Sequence, residues 1–363
     1  MTASAGSDVA PGAGASAALD DETSVAPPVS GRRRLLLTGL RITVTLLLIA
    51  AVGYALVTQW ADVESTIRSI KPQSLVMALG AALLGLGANV MAGRDVLRGL
   101  GQRVSTVDAG RFFLVGQLGK YLPGSVWAFV LQMELAKRAG VPRPIGFAGA
   151  LITVGIATAT SLVVGLLGLP ALLAVGGIVP WLVLALAPVA IVCALPPVLS
   201  RLLALVFRVL RRPPVPHQLG WSDTGRVALW SLTAWILFGT HLALLAGGVT
   251  GPGLDGWVRS IGAFALAMSA GLVAVVAPSG IGVREAVMVA ALAVYMPVGV
   301  ALGVALTSRL IFTLADILAA SAAALSGVRA IRRSPGSPET AAGPATVGMG
   351  AVALDDVPAT GEG

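Results

Sequence analysis

Six long apolar runs constrain the fold of this chain more than any other feature of its sequence. Each run is near or above the ~18–20 residues that cross a ~30 Å hydrocarbon core as a helix. Charged residues make up only 12% of the chain, against ~25% in soluble domains. The sequence therefore predicts an all-α polytopic membrane protein with six full spans, and it excludes most soluble enzyme classes. The six runs are 35–57, 75–92, 145–167, 181–199, 227–249 and 300–325.

The two ends of the chain differ in composition from the middle. Residues 1–31 are rich in Ala, Ser, Gly, Pro and acidic residues, and residues 334–363 repeat this composition. Such segments cannot bury a hydrophobic core, so both are predicted to be disordered tails. Residues 32–333 between them are predicted to form the transmembrane helical domain. An arginine triplet at 32–34 precedes the first run, which favours a signal anchor over a cleaved signal peptide.

The basic residues indicate the orientation of the spans. Cytoplasmic loops carry an excess of Lys and Arg, and placing both chain ends in the cytoplasm leaves only Arg68, Lys71 and Arg259 outside. Arginines on the cytoplasmic face then explain the net charge of +8, and no nucleic-acid partner is expected. The predicted location is the cytoplasmic (inner) membrane. The bias toward Arg, Ala and Gly suggests a high-GC bacterium.

Two further apolar segments are interrupted by Pro and Gly. Segment 111–136 is broken at Pro123-Gly124, and segment 260–296 is broken at Pro278-Ser279-Gly280. Each segment is predicted to be a helix hairpin, either re-entrant or made of two short spans, and the sequence favours neither form. Irregular backbone at membrane depth is tolerated only where it is buried in protein or lines a cavity.

The two broken segments resemble each other. A second proline follows each break at the same distance, Pro142 after Pro123 and Pro297 after Pro278, and a full-length helix follows each. The charge distribution makes the first hairpin open inward and the second outward. This pattern predicts an inverted-topology repeat, the architecture of many transporters, with a site near the midplane. The repeat-like halves are approximately residues 74–200 and 227–326.

Six charged side chains, three basic and three acidic, are predicted at membrane depth. A charge at the bilayer centre costs ~2.5–3.5 kcal/mol or more, so such residues usually face a pathway or one another. Arg309 and Asp316 share one helix face two turns apart, and Arg284 and Glu285 are the natural partners for them. The alternative is that these charges hold the bundle together or extend to the interface. The six residues are Lys120, Glu134, Arg284, Glu285, Arg309 and Asp316.

The two breaks also offer the elements of an anion site. A half-helix that starts after such a break has free backbone N–H groups and the positive end of its dipole. With Lys120 and Arg284 nearby, these starts form a cradle for a phosphate or carboxylate, and a lipid headgroup phosphate is the anion that reaches this depth. The predicted substrate-binding residues are Lys120, Tyr121, Pro123, Gly124, Ser125, Glu134, Pro278, Ser279, Gly280, Gly282, Arg284, Glu285, Arg309 and Asp316.

No cofactor, metal site or catalytic residue is predicted. The single cysteine, Cys193, and the two histidines, His217 and His241, are too few for a thiolate cluster or a zinc site. The sequence also lacks the G-x-x-x-x-G-K-[ST] pattern of phosphate-binding loops, so energy from ATP would need a partner.

Several of these stretches carry a family resemblance. The stretches Gly116-Gln117-Leu118-Gly119-Lys120-Tyr121-Leu122-Pro123-Gly124-Ser125-Val126-Trp127, Ala277-Pro278-Ser279-Gly280-Ile281-Gly282-Val283-Arg284-Glu285 and Ser308-Arg309-Leu310 look like the lysylphosphatidylglycerol synthase transmembrane-region family, also called flippase-like proteins. In bifunctional members this region resembles a lipid flippase, and a separate cytosolic domain makes the aminoacyl lipid. That domain is missing here, so the resemblance implies lipid translocation and not synthase activity.

Three functional hypotheses follow. The leading one is a non-enzymatic, flippase-like transporter whose partners are membrane lipids with an anionic headgroup or a polyprenyl phosphate. An enzymatic alternative is a polyprenyl-phosphate-dependent glycosyltransferase, because Asp62 and Glu64 form a D-x-E pair of the kind that binds metal or acts as a base. The third is an accessory subunit of an envelope-lipid synthesis complex. The sequence leaves open a protein partner of that kind or a homo-oligomer.

Overall fold

The computed structural model describes residues 57–58, 60–121, 127–170, 173, 176, 179–212, 219–250, 253–273 and 282–333. Every regular element within these ranges is helical. A π-helical turn (Arg111–Val115) and a 3-10 turn (Gln117–Tyr121) precede α4, and a second 3-10 turn (Leu166–Gly168) follows α5. The α-helices are α1 (Trp60–Ser69), α2 (Pro72–Gly99), α3 (Thr106–Gly110), α4 (Trp127–Arg138), α5 (Arg143–Gly165), α6 (Val179–Ala194), α7 (Pro196–Val209), α8 (Trp221–Thr250), α9 (Leu254–Val273), α10 (Val283–Leu292) and α11 (Val298–Arg333).

Four of the described helices are long and apolar enough to cross a membrane. They are α2, most of α8 and α11, and α5 together with the 3-10 turn that follows it. All four coincide with apolar runs predicted as spans. The chain is therefore an all-helical membrane protein in the part that the structure describes.

The predicted span at residues 181–199 is bent in the structure. The chain bends by 84° between α6 and α7, and the bend falls at Leu195, directly before Pro196 and Pro197. Proline lacks a backbone N–H and disfavours helical conformation in the residue before it, so the helix ends there. The first predicted span, 35–57, lies outside the described residues apart from its last position, and six full spans are therefore not confirmed.

Small residues let the helices of the core approach closely. A Cβ added at Gly262 of α9 would lie 2.1 Å from the backbone nitrogen of Gly168, and one added at Gly239 of α8 would lie 2.3 Å from the Cα of Ile261. Buried residues of α2, α8, α9, α10 and α11 form one hydrophobic cluster, in which alanine recurs. Close contact through Gly and Ala is the usual packing of helices in membranes, where dispersion replaces the hydrophobic effect.

Large apolar side chains point away from this core. Leu84, Leu229 and Leu310 are 65%, 64% and 66% exposed on three of the candidate spans. A soluble protein rarely presents such contiguous apolar surface. On a spanning helix, this surface is where the lipid chains pack.

The two Pro/Gly-broken segments form helix pairs. Hairpin 1 consists of the π-helical turn, the 3-10 turn and α4, and its two arms pack against each other. Hairpin 2 consists of α9 and α10, which also pack against each other. The breaks at Pro123-Gly124 and Pro278-Ser279-Gly280 lie outside the described residues. Gly282, at the start of α10, is described and has φ +87°, in the left-handed region that favours glycine.

Candidate functional site

A cavity of about 250 Å³ lies inside the helical bundle. Its wall combines two cationic side chains, several amides and hydroxyls, and a group of aromatic rings. Residues from both hairpins and from α2, α5, α8 and α11 contribute to it. The lining residues are Leu86, Asn89, Phe113, Gln117, Lys120, Gln132, Ala150, Thr153, Val154, Ala157, Thr158, Ser161, Ser231, Ala234, Trp235, Phe238, Met268, Ser269, Arg284 and Phe312.

A fully buried carboxylate, Asp316 of α11, binds the 3-10 turn of hairpin 1. Its Oδ2 lies 2.5 Å from the Lys120 Nζ and accepts a hydrogen bond of 2.6 Å from the Tyr121 hydroxyl. Its Oδ1 accepts a hydrogen bond of 3.0 Å from the Gln117 amide. A buried charge is stable only when it is paired and hydrogen-bonded, and hairpin 1 supplies all three of these donors.

A second ion pair binds α11 to hairpin 2. Arg309 donates through Nη1 to Oε1 of Glu285, which is buried at the start of α10. The other carboxylate oxygen, Oε2, accepts a 2.7 Å hydrogen bond from the Gly282 backbone N–H. Glu285 therefore caps the N-terminus of α10, where a negative charge is favourable, while it neutralises Arg309.

Arg284 lies next to Glu285 in the chain but contacts aromatic rings instead of a carboxylate. Its guanidinium carbon is 5.0 Å from the ring centroid of Phe264 and 5.3 Å from that of Phe312. These distances are typical of cation–π contacts. The Arg284 Nη2 is buried and has no hydrogen-bond partner within the described ranges. Arg284 is thus held by rings at the cavity wall with part of its hydrogen-bonding capacity unused.

The charges around the cavity do not balance. Lys120, Arg284 and Arg309 are close enough for their charges to interact, and the carboxylates that pair with this group are Glu285 and Asp316. Three cations and two anions leave one positive charge in excess. Since Lys120 and Arg309 each have a carboxylate partner, the excess charge belongs to Arg284.

His241 supports the aromatic rings from behind. Its ring is edge-on to Phe264 and Phe312, with centroid distances of 4.8 Å to both. Its Nε2 lies 2.8 Å from the Ser308 hydroxyl, and its Nδ1 contacts the Phe238 carbonyl. His241 is fully buried and positions the rings that hold Arg284.

Most of the predicted site residues that the structure describes lie together, and one of them, Glu134, lies apart. Lys120, Tyr121, Gly282, Arg284, Glu285, Arg309 and Asp316 form the contacts above. Pro123, Gly124, Ser125, Pro278, Ser279 and Gly280 lie outside the described residues.

Glu134 was expected among the charges at membrane depth, and the structure places it apart from the buried charges. Its carboxylate forms a 2.9 Å ion pair with Arg143, and the side chains of Glu134 and Arg143 are 42% and 62% exposed. The hydrogen bond from Arg143 holds the pKa of Glu134 below its ordinary value. The residue lies on α4, two turns beyond Trp127, and Arg143 serves as its partner in place of the buried cluster.

Sequence reasoning missed the aromatic and hydroxyl part of the wall. Phe264, Phe312 and Ser231 carry no motif, and single Phe and Ser residues in apolar runs are usually packing residues. The signal that was present is the density of Ser and Thr on the face of α5 at Thr153, Thr158 and Ser161.

The D-x-E pair behind the glycosyltransferase alternative lies on α1, away from the cavity wall. Asp62 packs against α11, because a Cβ added at Gly299 would meet its side chain. Glu64 instead forms a 2.6 Å ion pair with Arg68, one turn further along α1. Residues two apart in a helix do not face each other, so the two carboxylates do not converge on one point.

Fold and site together define a helical membrane protein with a cavity between its helices whose wall is mostly apolar and carries two cationic side chains. The two cationic side chains that line the cavity, Lys120 and Arg284, come from two of the short stretches that carried the family resemblance. A family model described as the lysylphosphatidylglycerol synthase TM region matches residues 40–320. The chain belongs to this family. No curated protein matches the chain.

Proposed function

We propose that this protein is a non-enzymatic, flippase-like transporter that moves a lipid with an anionic headgroup, or a polyprenyl phosphate, across the membrane. The observation that carries the proposal is Arg284, a buried cation at the cavity wall with no carboxylate partner in the described structure. An uncompensated buried charge is costly. A phosphate that enters the cavity offsets this cost, because its oxygens accept hydrogen bonds from the guanidinium N–H groups that have no other partner.

The size of the cavity agrees with a headgroup. A volume of about 250 Å³ equals that of about eight water molecules at ~30 Å³ each. This is enough for a phosphate with a small substituent. In the proposed mechanism the lipid headgroup enters the cavity while its chains stay in the surrounding bilayer.

The architecture supports movement between two sides. We propose that hairpin 1 enters from the cytoplasmic face and hairpin 2 from the outer face, as inverted repeats with both chain ends in the cytoplasm. α11 contacts both hairpins, through Arg309 to Glu285 and through Asp316 to Lys120. Small displacements of either hairpin against α11 would open the cavity to one side at a time.

The test is lipid translocation in liposomes that contain the purified protein. Fluorescent lipids with anionic, zwitterionic and polyprenyl-phosphate headgroups are followed by loss of fluorescence to a membrane-impermeant quencher. We expect protein-dependent movement of an anionic lipid, and we expect Arg284→Gln to reduce its rate at least about tenfold, because a charged hydrogen bond contributes about 1.5–3 kcal/mol. Arg143→Gln is the matched control, since Arg143 is exposed and its carboxylate partner, Glu134, is partly exposed too.

Two results would contradict the proposal. If wild-type liposomes behave like empty ones with every lipid, the transport function is wrong. If Arg284→Gln moves lipid as fast as wild type and both elute as folded protein in gel filtration, the site is wrong. Arg309→Ala is a second variant expected to stop transport, although it also leaves Glu285 without its partner.

A further inference from the structure

The cavity wall offers positive charge and no negative charge. Among the described residues that line it, the charged ones are Lys120 and Arg284. The neighbouring carboxylates, Asp316 and Glu285, are already engaged with cations and N–H donors. The stretches 122–126 and 274–281, which connect the hairpin arms, contain no Asp or Glu in the sequence. A cationic group that entered this cavity would therefore meet no free counter-charge from these parts of the chain.

The hydroxyls on the α5 side of the wall have their protons directed into their own helix. Thr153 donates to the Gly149 carbonyl at 2.8 Å, and Thr158 donates to the Val154 carbonyl at 2.8 Å. Ser161 donates in the same way to the Thr158 carbonyl, and its oxygen is also hydrogen-bonded to the hydroxyl of Ser269, another lining residue. A hydroxyl that has donated its proton retains acceptor lone pairs. This side of the wall therefore suits a ligand that brings O–H donors.

Ser231 of α8, a helix that packs against α5, adds an unused hydroxyl. The residue is 1% exposed, borders the cavity, and its Oγ has no partner within the described ranges. Buried hydroxyls without a partner are uncommon in folded proteins, and each one calls for an explanation. A ligand hydroxyl can both donate to this oxygen and accept from it.

From these three observations we infer that the cavity selects lipid headgroups that combine a phosphate with free hydroxyls, such as glycerol, inositol or sugar phosphates, and that it rejects headgroups bearing an ammonium group. The inference rests on the proposed transport function and specifies its substrate class. Arg284 and Lys120 attract the phosphate, and the Ser/Thr groups bind the hydroxyls. The same two cations repel an ammonium.

The experiment compares headgroups on one acyl-chain background in the same liposomes. Phosphatidylglycerol and phosphatidylinositol carry phosphate and hydroxyls, phosphatidylmethanol carries the same charge without hydroxyls, and lysylphosphatidylglycerol carries added ammonium groups. We expect the first two to move fastest, and phosphatidylmethanol to move about three- to tenfold more slowly, as the loss of one or two hydrogen bonds predicts. Lysylphosphatidylglycerol should move least.

Ser231→Ala isolates the hydroxyl contribution, since its Oγ has no hydrogen bond within the described structure that the substitution would remove. The variant should lower the ratio of the phosphatidylglycerol rate to the phosphatidylmethanol rate by about two- to fivefold. Ser65→Ala, on the exposed face of α1, is the control and should leave the ratio unchanged.

The failures of the two proposals are distinguishable. Equal movement of all four lipids, or preference for lysylphosphatidylglycerol, would overturn the headgroup inference and leave transport in place. An unchanged ratio in Ser231→Ala would remove Ser231 from the binding surface. No movement of any lipid would overturn both proposals.

Discussion

At the scale of single residues, Asp316 connects more of the site than any other described side chain. Its carboxylate has 0% exposure and contacts Lys120, Tyr121 and Gln117, all from one turn of hairpin 1. The Asp316 carboxylate is charged and buried, so it is stable only because one positive charge and two hydrogen-bond donors surround it. Removing the charge releases the turn that carries Lys120.

We expect Asp316→Asn to destabilise the protein by up to about 3 kcal/mol, because breaking a buried ion pair leaves its partner uncompensated. Lys120 is only partly buried, which keeps the loss at the lower end of the usual range. The measurement is the midpoint of thermal unfolding in detergent. Glu134→Gln, which breaks an exposed ion pair, is the control and should leave the midpoint unchanged. Adding Lys120→Met to Asp316→Asn should recover part of the loss, and a double variant weaker than the single one would contradict this account.

The sequence predicted that the buried charges pair with one another, but it did not predict every pair. Arg309 and Asp316 had to find opposite charges on other elements, and Glu285 meets Arg309 as expected. Arg284 was the other expected partner, yet Asp316 pairs with Lys120. The reason is that Phe264 and Phe312 converge on Arg284 from two different helices. Helical periodicity shows which residues share a face, but it does not show which faces meet.

At the scale of elements, the shape of hairpin 1 depends on glycines between its arms. A Cβ at Gly119 would lie 2.6 Å from the Ala128 backbone nitrogen, and one at Gly116 would lie 2.3 Å from the Gln132 side chain. The backbones of the two arms are therefore in direct contact at Gly119. This contact places Lys120, the next residue, beside Asp316.

Gly119→Ala should separate the arms and displace Lys120, because the new methyl group would overlap backbone atoms that cannot rotate away. We expect lower thermal stability and a loss of transport activity. Gly87→Ala is the matched control, since nothing lies within 4 Å of a Cβ at that position and alanine is the better helix former by about 0.5–1 kcal/mol. If the two variants behave alike, close contact of the arms is unimportant.

The prediction of elements from the sequence succeeded where one apolar run forms one helix. Runs 75–92, 145–167, 227–249 and 300–325 all lie within described spans. Run 181–199 has the same hydropathy but contains Pro196-Pro197, which ends α6 and turns α7 by 84°. Hydropathy averages over a window and does not register a two-residue interruption, so the bend had to be found in the structure.

At the scale of the whole molecule, the arrangement of both hairpins around α11 is the basis of the transport proposal. α11 presents Arg309 to hairpin 2 and Asp316, two turns further on, to hairpin 1. An inverted repeat would place the open ends of the two hairpins on opposite faces of the membrane. Packing between helices does not determine which face is which, whereas the distribution of basic residues predicts it.

The single cysteine makes this orientation measurable. Cys193→Ala removes the only thiol in the sequence, and new cysteines are then introduced one at a time at exposed positions, as Ser65→Cys in α1, Ala139→Cys after α4, and Gly253→Cys before α9. We expect a membrane-impermeant maleimide to label positions 65 and 253 in intact spheroplasts and to reach position 139 only after permeabilisation. Each variant must first transport lipid like its cysteine-free parent.

If positions 139 and 253 were labelled from the same side, the two hairpins would open to one face, and alternating access through an inverted repeat would be excluded. Labelling of 139 from outside and of 65 and 253 from inside would keep the inverted repeat but reverse the proposed orientation, since both hairpins would then have exchanged faces together.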